Sequence, residues 1–318
     1  MDLHASVDLA RETEKAGFSG MWVADQTFHG DPWVILAAAS QVTSSIRLGL
    51  GLTNPQTRHP TVTARASVAL AAISEGRFDL GLGSGNTKEL LTPLGLLSSR
   101  PAKSLAEALE IISDLLRRGR SEFHGEFFQA KGVVLEASSG QPVPIFVGGR
   151  GEQILRLAGR KADGVVLGVA AYHRTWEIVS GAATAAGRDP EQIRRVAWGE
   201  CIPNPTEDEF EEQRRIVAHV LGRAPVAGLL VLGLDPELID VIKSAYETEG
   251  IPGAARHVSS DLVKRQIVIG SLDECLERLH GFASAGVDEF AVLTKKATLD
   301  ERVALMHLLS TTVLPEFT

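Results

Sequence analysis

Short apolar segments alternate with longer amphipathic segments along nearly the whole chain, and this alternation constrains the fold more than any other feature. Residues 46–52 and 78–82 are short and apolar, as buried strands are, whereas residues 102–116 carry apolar side chains at helical spacing. Strands that are separated by helices pair in parallel, because each connection must cross a face of the sheet. The sequence therefore predicts an α/β fold built on a parallel sheet.

About seven strands follow one another in this series, which approaches the eight that close a (β/α)8 TIM barrel. The length of 318 residues suits one such barrel, and a doubly wound open sheet is the alternative architecture. The first strand of the barrel is expected to be missing or truncated, since the sequence starts on a helix at residues 5–16. The last strands are predicted at residues 195–201, 266–269 and 288–293.

Two segments interrupt the alternation. A hairpin insertion is predicted near residues 120–138, where Gly125 marks a turn between aromatic residues. A helical insertion is predicted near residues 204–264, because this stretch is longer than a standard connection between strands. Apart from these insertions, residues 1–318 are predicted to form a single barrel domain.

Charge and composition exclude several classes of protein. The formal net charge of −8 argues against a broad nucleic-acid-binding surface. Cys201 and Cys275 follow no metal-binding spacing and are predicted to be reduced thiols in the core. The sequence has no apolar run of membrane-spanning length and no signal-peptide pattern at its start. We therefore expect a cytoplasmic protein that binds no nucleic acid, no membrane and no metal.

Glycine-rich segments follow three of the predicted strands, at the sheet edge where parallel α/β folds bind their ligands. In the first segment, Gly49 and Gly51 would let the flat face of a ligand approach the backbone. Asn54 ends this strand, because the residue before Pro55 avoids helical geometry. The alternative interpretation is a strand softened by glycine and followed by an ordinary turn.

The second glycine-rich segment holds Gly83 and Gly85 and is followed by Asn86. It does not match a dinucleotide-binding fingerprint, which needs a third glycine where Asn86 stands. Its backbone amides could still bind a ligand, and Glu89 follows within one helical turn. A tight strand-to-helix turn with a solvated Glu89 is the alternative.

The third glycine-rich segment, Gly148-Gly-Arg-Gly151, joins a predicted strand to a predicted helix. Free amides at the N-terminus of a helix favour a phosphate group, and Arg150 could add a charged hydrogen bond. A flexible turn with an exposed arginine fits the sequence equally well.

Other polar residues are weaker candidates. Asp25, Gln26 and His29 follow the first visible strand and could face the binding edge, although Asp25 might equally cap a turn. His173 and Arg174 either form an anion site or simply begin a helix. Since the sequence lacks the motifs of zinc hydrolases, serine hydrolases and P-loop enzymes, hydrolase and kinase chemistry is not indicated.

Taken together, these motifs resemble those of the bacterial-luciferase-like superfamily. The resemblance rests on Thr53-Asn-Pro-Gln-Thr-Arg-His-Pro60, on Ile73-Ser-Glu-Gly-Arg-Phe78 and on Gly81-Leu-Gly-Ser-Gly85. Within the superfamily, the sequence is most similar to the branch that uses the deazaflavin coenzyme F420, which includes methylenetetrahydromethanopterin reductases. The resemblance covers nearly the whole chain.

The resemblance implies a TIM barrel that binds F420, or alternatively FMN, at the carboxyl ends of its strands. It also implies a cis peptide bond between Gly51 and Leu52, behind the ring of the cofactor. Thr53 and Asn54 would line the edge of the ring, and the third glycine-rich segment would hold the phosphate. The cofactor-binding residues implied in this way are Gly51, Leu52, Thr53, Asn54, Gly83, Gly85, Asn86, Gly148, Gly149, Arg150 and Gly151.

Three features depart from the pattern of related deazaflavin enzymes. Gln26 follows Asp25 where a histidine often stands, Asn86 occupies a position that often holds an acid, and the first strand is missing. Gln26 and Asn86 cannot transfer protons as histidine and glutamate do. Either Glu89 or His29 takes over this role, or the reaction needs no acid from the protein, or activity is reduced. The catalytic residues that we predict are Asp25, Gln26 and Glu89.

The leading hypothesis is an F420-dependent oxidoreductase that transfers a hydride between the deazaflavin and a small organic substrate. The first alternative is an FMN-dependent luciferase-like monooxygenase. The second is a catalytically weak flavin-binding relative or a partner subunit. The resemblance also implies a homodimer or a larger homo-oligomer.

Overall fold

The structure is a computed structural model, and it describes residues 3–26, 29–85, 90–96, 100–136, 140–294 and 298–317. Within the described part of the chain, no helix is both long and apolar enough to cross a bilayer. The chain folds into two compact units. The first unit comprises Met1–Gly149, Ala162–Gly164 and Lys295–Thr318, and the second comprises Arg150–Lys161 and Val165–Thr294.

Strands of the main sheet follow one another in chain order. The described strands are β1 (Gly20–Val23), β2 (Arg47–Thr53), β3 (Phe78–Leu82), β4 (Arg120–His124), β5 (Gln129–Val134), β6 (Ile145–Gly148), β7 (Gly164–Gly168), β8 (Arg194–Gly199), β9 (Cys201–Pro203), β10 (Val268–Gly270) and β11 (Glu289–Val292). The main sheet has the order β1-β2-β3-β6-β7-β8-β11. A doubly wound sheet reverses its strand order at a switch point. Because this order never reverses, the open-sheet alternative does not apply.

Helices separate the strands, and several begin where the sequence supplies a cap. The described helices are α1 (Leu3–Lys15), α2 (Pro32–Ser40), α3 (Pro60–Ile73), α4 (Pro101–Arg118), α5 (Glu152–Lys161), α6 (Tyr172–Ala185), α7 (Glu207–Arg223), α8 (Val226–Val231), α9 (Pro236–Ala255), α10 (Ser260–Gln266), α11 (Leu272–Ser284) and α12 (Leu299–Thr312). Asp31 caps α2 by accepting hydrogen bonds from the amides of Trp33 and Val34, at 2.8 and 3.3 Å. Proline follows the cap at the first helical position, where its missing N–H is not needed.

Glycines in the first unit make room for aromatic side chains. The Trp22 ring lies so close to Gly49 that a Cβ at this position would overlap it. Phe146 meets Trp22 edge-on, with ring centroids 5.3 Å apart. A Cβ at Gly164 would in turn overlap Phe146. Small residues on the strands therefore let large rings fill this part of the core.

Charged groups at the amino ends of β2 and β3 are paired. Arg47 Nε and Nη2 donate to the two carboxylate oxygens of Asp79, at 2.7 and 2.6 Å. Arg77 donates four hydrogen bonds, at 2.9 to 3.2 Å, to oxygens of Ser40, Thr43 and Ile46. These interactions tie the start of β3 to the start of β2 and to the end of α2.

Glu14, near the end of α1, holds the segment that leads into β2. One of its oxygens accepts hydrogen bonds from the amides of Ser44, Ser45 and Ile46 and from the Ser45 hydroxyl, at 2.6 to 3.2 Å. Burial alone would raise the pKa of Glu14, but these hydrogen bonds stabilise the charged form and lower its pKa to about 2.

The predicted hairpin is present, since β4 and β5 pair antiparallel. A buried carboxylate supports its tip: Glu107, on α4, accepts hydrogen bonds from the amides of Glu126, Phe127 and Phe128, at 3.0, 2.8 and 3.2 Å. A Cβ at Gly125 would overlap the Glu107 carboxylate. This contact was not predicted from sequence.

The second unit departs from prediction at two strands. Residues 195–201 were predicted as one strand, but the structure divides them between β8 and β9. Residues 266–269 were predicted in the main series, and this was wrong, because β10 pairs only with β9 in a separate two-stranded sheet. A three-residue strand is too short to show in sequence which sheet it joins.

The structure of the second unit also bears on the predictions for its helices and its two thiols. Helices α7, α8, α9 and α10 fill the stretch predicted as a helical excursion. Buried residues such as Leu221, Ile239 and Val258 form their shared core. His173 and Arg174 lie in the first turn of α6, which supports the helix-start interpretation. Cys201 and Cys275 are buried free thiols, as expected.

Candidate functional site

The candidate site lies in the first unit, at the carboxyl ends of β1, β2, β3 and β6. The peptide bond between Gly51 and Leu52 is cis, which confirms the prediction. At the same place the pairing of β2 with β3 is irregular, between Leu50 and Thr53. The irregularity in strand pairing therefore coincides with the cis bond that the resemblance implied.

Leu52 connects this bulge to the glycines of the next strand. A Cβ built at Gly81 would lie 2.7 Å from Leu52 Cδ2, and one built at Gly83 would lie 3.3 Å from Leu52 Cδ1. The Gly83 Cβ would also stand 3.4 Å from the carbonyl oxygen of Gly148, at the end of β6. The structure thus brings together the predicted residues Leu52, Gly83 and Gly148.

Gly85 and Asn54 are a second pair of predicted residues that the structure brings together. Gly85 has a φ of +81°, a conformation that side-chain-bearing residues rarely adopt. A Cβ there would lie 3.3 Å from Asn54 Cβ and Cγ. The backbone of the second glycine-rich segment therefore runs directly against the end of β2.

Thr53 and Asp25 meet across the ends of β1 and β2. Thr53, which is 1% exposed, donates its hydroxyl hydrogen to Asp25 Oδ2 at 2.6 Å. Burial raises the pKa of the Asp25 carboxyl, and the negative charge of Asp31 adds to this effect, while the Thr53 hydroxyl and the charge of Arg58 oppose it. The protonated form of Asp25 is consequently favoured more than in an ordinary aspartate.

Asn54 has a local structural role that the sequence analysis did not assign. Its side chain is buried, and its Oδ1 accepts hydrogen bonds from the amides of Gln56 and Thr57, both at 3.1 Å. This arrangement is an Asx turn, which orders the chain as it leaves β2. The amide oxygen of Asn54 is therefore already engaged by its own loop.

The remaining predicted residues are less well placed or cannot be placed. Gln26 and His29 are exposed, and the His29 amide donates to the Gln26 carbonyl at 3.1 Å. Asn86 and Glu89 lie outside the described residues. Among the described residues, no three histidine, cysteine, aspartate or glutamate side chains are grouped to hold a metal ion.

The third glycine-rich segment leads from β6 to α5. Gly148 and Gly149 belong to the first unit, and Arg150 and Gly151 to the second. Arg150 is exposed, and a Cβ at Gly151 would meet no atom within 4 Å. Glu152, the first residue of α5, pairs with Arg156 at 2.7 Å. Exposure thus increases along this segment, from the buried Gly148 to the exposed Arg150 and Gly151.

Sequence reasoning missed Arg58, although this residue lies inside the quoted Thr53–Pro60 motif. The Cζ atom of Arg58 stands 4.7 Å from the centroid of the Trp33 ring. Its Nη1 is buried and makes no hydrogen bond in the described structure. Its position in the loop between β2 and α3 was the available signal.

Comparisons with known proteins identify the family. The family model for luciferase-like monooxygenase matches residues 1–289. The chain belongs to this family. Over 285 residues it is 28% identical to the 5,10-methylenetetrahydromethanopterin reductase of Archaeoglobus fulgidus, covering 87% of this chain and 85% of that relative. Over 202 residues it is 34% identical to the F420-dependent hydroxymycolic acid dehydrogenase of Mycobacterium tuberculosis, covering 59% of this chain and 56% of that relative.

The fold of this luciferase-like protein is also that of a solved relative. The structure of the coenzyme F420-dependent tetrahydromethanopterin reductase from Methanopyrus kandleri aligns with a TM-score of 0.83 and 25% identity, and the alignment covers 100% of this chain and 96% of that chain. The prediction of a luciferase-like TIM barrel is thus confirmed. Its main sheet has seven described strands, one fewer than the eight of a complete barrel.

Proposed function

We propose that this luciferase-like protein is an F420-dependent oxidoreductase that transfers a hydride between the deazaflavin and a small organic substrate. The observation that carries the proposal is the backbone surface around the cis Gly51–Leu52 bond, where Leu52 contacts the glycines of β3. Two relatives named as F420-dependent enzymes support the choice of cofactor. One of them, the solved reductase, aligns over 100% of this chain.

The residues present fit a flat deazaflavin ring. Gly83 has no side chain, so only its backbone lies between Leu52 and the Gly148 carbonyl oxygen. A larger residue at this position would place its side chain in the space proposed for the ring. In our proposal Gly51, Leu52, Thr53 and Asn54 lie against the ring. The rest of the proposed cofactor site consists of Gly83, Gly85, Asn86, Gly148, Gly149, Arg150 and Gly151.

The coenzyme, when bound, supplies the carbon that gives or receives the hydride. The protein contributes orientation and exclusion of water. Leu52 offers an apolar face on which the ring can rest, and the Asx turn of Asn54 fixes the chain beside it. Thr53 holds the Asp25 carboxyl in place through its hydroxyl.

Asp25 is the proposed proton-carrying group of the site. Because burial raises its pKa, this carboxyl keeps its proton to a higher pH than an ordinary aspartate does. Gln26 can donate and accept hydrogen bonds but cannot transfer a proton at neutral pH. Glu89 remains a proposed second acid of the site.

An FMN-dependent monooxygenase is the second candidate function. The family model that matches this chain carries the description luciferase-like monooxygenase, and an FMN ring would use the same backbone surface. The third candidate is a catalytically weak flavin-binding relative or a partner subunit. Such a protein would keep the cofactor-binding surface but would not catalyse hydride transfer or oxygenation.

The decisive experiment is a pair of fluorescence titrations, with F420 and with FMN, on the purified protein. We expect saturable F420 binding and weak or absent FMN binding. Tight FMN binding without F420 binding would support the monooxygenase instead. Binding of neither cofactor would contradict the proposal and favour the weak relative.

The Gly83→Val variant connects the titration to the site. Its side chain would fill the space next to Leu52 and the Gly148 carbonyl, so we expect F420 affinity to fall by at least about tenfold. Gly181→Ala on α6 is the matched control, because a Cβ there meets no atom within 4 Å. Equal F420 affinity in both variants would show that the ring binds elsewhere.

We also infer the setting in which the enzyme works. Two free buried thiols suit a reducing compartment, which supports a cytoplasmic location. We expect the enzyme to act there on a small-molecule substrate. The family match over residues 1–289 supports one barrel domain with its two insertions. Homodimers or larger homo-oligomers are expected, and light scattering coupled to size-exclusion chromatography measures this.

A further inference from the structure

Arg58, five residues after the carboxyl end of β2, is a candidate ligand-binding residue. It lies in the loop between the end of β2 at Thr53 and the start of α3 at Pro60, and it is half-buried. Its guanidinium group stacks on Trp33, with Cζ 4.7 Å from the ring centroid. Such stacking holds the plane of the guanidinium group in a fixed orientation.

The guanidinium group of Arg58 has one nitrogen that donates no hydrogen bond within the described structure. Arg58 Nη1 is shielded from solvent, yet it has no hydrogen-bond partner in the described structure. Arg77, at the amino end of β3, is different, because its two terminal nitrogens donate four hydrogen bonds to protein oxygens. A buried donor without an acceptor is costly, and a ligand oxygen would remove this cost.

The nearby carboxylates are already engaged. The positive charge of Arg58 acts on Asp25, but Asp25 is hydrogen-bonded to Thr53 rather than to Arg58. Asp31 uses its Oδ1 to cap α2 through the amides of Trp33 and Val34. Arg58 therefore forms no hydrogen bond with either carboxylate in the described structure.

We propose that Arg58 binds an anionic oxygen group of the substrate, a carboxylate or a phosphate. A guanidinium group offers donors only, in a planar fork that matches the two oxygens of such a group. Arg58 follows Thr53 by five residues, in the loop that leaves the proposed ring-binding surface. That the bound ligand is the substrate of hydride transfer rests on the proposed function.

The test uses tryptophan fluorescence of the cofactor-free protein, titrated with sodium acetate and, separately, with inorganic phosphate. Sodium chloride at equal ionic strength corrects for screening. We expect saturable binding with a roughly millimolar dissociation constant for at least one of the two probes, and the tighter probe identifies the group. The signal should disappear in Trp33→Phe, which assigns it to the ring under Arg58.

Charge and geometry are separated by substitution. Arg58→Gln should weaken anion binding by at least about tenfold, and Arg58→Lys should give an intermediate loss, because it keeps the charge without the fork. Arg65→Gln is the matched control, since Arg65 is an exposed arginine on α3. Thermal unfolding of each variant checks that it is folded.

Three results would overturn the proposal. The first is the absence of a saturable anion response in the wild-type protein, and the second is an equal response in a folded Arg58→Gln variant. The third is a tenfold loss of F420 affinity in Arg58→Gln, because the anion would then belong to the coenzyme and not to the substrate. If wild-type protein fails to bind F420 but shows Arg58-dependent anion binding, the proposed function fails while the anion site stands.

Discussion

Charged side chains at the two ends of strands β1 to β3 differ in how completely they are hydrogen-bonded. At the amino ends, Arg47 and Asp79 form a two-point ion pair, and Arg77 donates four hydrogen bonds. At the carboxyl ends, Asp25 is held by one hydroxyl, and Arg58 Nη1 has no partner in the described structure. The amino ends are thus held together by paired groups, and the carboxyl ends are where we propose that the ligand binds, which is the division that TIM barrels show in general. Substitutions at the two ends should therefore differ in what they change.

The largest effect is expected from Asp79→Ala. Asp79 is 1% exposed and its partner Arg47 is 33% exposed, so the substitution removes the two carboxylate acceptors that Asp79 offers to a partly buried guanidinium group. We expect the free energy of unfolding to fall by about 3 kcal/mol, measured by urea denaturation. Asp114→Ala, which breaks the ion pair of a half-buried aspartate with the exposed Arg118, should cost less than about 0.5 kcal/mol. Equal losses in the two variants would refute the special role of the amino ends.

Arg77→Met should rank second. The substitution keeps an apolar stem but removes four hydrogen bonds to Ser40, Thr43 and Ile46. A loss of about 2 kcal/mol is expected, again from urea denaturation, with F420 affinity unchanged in the folded variant. If F420 binding is lost while stability is kept, the assignment of this end to stability is wrong.

Glu14→Gln should have a smaller effect that depends on pH. The pKa of Glu14 lies at about 2 in the fold, below its ordinary value of 4.5, so the charged form stabilises the fold above pH 4.5. This stabilisation, about 1 kcal/mol, is lost as the pH falls through 2. Thermal unfolding at pH 7, 4 and 2.5 should show wild type above the variant at pH 7 and a shrinking difference below. A constant difference at all pH values would contradict the role of the charge.

Asp25→Asn should change stability least and ligand chemistry most. Since the pKa of Asp25 is raised above 3.8, the folded protein favours the protonated acid. Wild type therefore loses stability relative to the variant as the pH rises through this raised pKa, by less than about 1 kcal/mol at neutral pH. The pH profile of hydride transfer, followed by F420 absorbance, should lose its acid-dependent limb in the variant. An unchanged profile would exclude Asp25 as the proton carrier.

Local motifs made part of this structure predictable from sequence. The cis bond between Gly51 and Leu52 was implied by the family resemblance, which rests on short runs of residues, and the structure has it there. The helices predicted at residues 5–16 and 102–116 are present as α1 (Leu3–Lys15) and α4 (Pro101–Arg118), as helical spacing of apolar side chains indicated. In each case the controlling residues lie within a few positions of the feature.

Features that depend on distant partners were not predictable. Residues Thr53 and Asp25 were both named from sequence, but their hydrogen bond joins positions 28 apart in the chain. The free donor on Arg58 depends on which neighbours are already engaged, which no pattern reveals. The pairing of β10 with β9 rather than with the main sheet is likewise decided by packing around three-residue segments.

The carboxylate of Glu107 has a consequence for the hairpin above it. Because it accepts hydrogen bonds from three successive amides, those of Glu126, Phe127 and Phe128, the tip of this surface hairpin is fastened to α4. A turn at the surface is usually the first choice for grafting a peptide or opening a new chain terminus. Here such an insertion would break the three hydrogen bonds between these amides and the buried Glu107 carboxylate. The tip of this hairpin is therefore a poor site for insertions or for new chain termini.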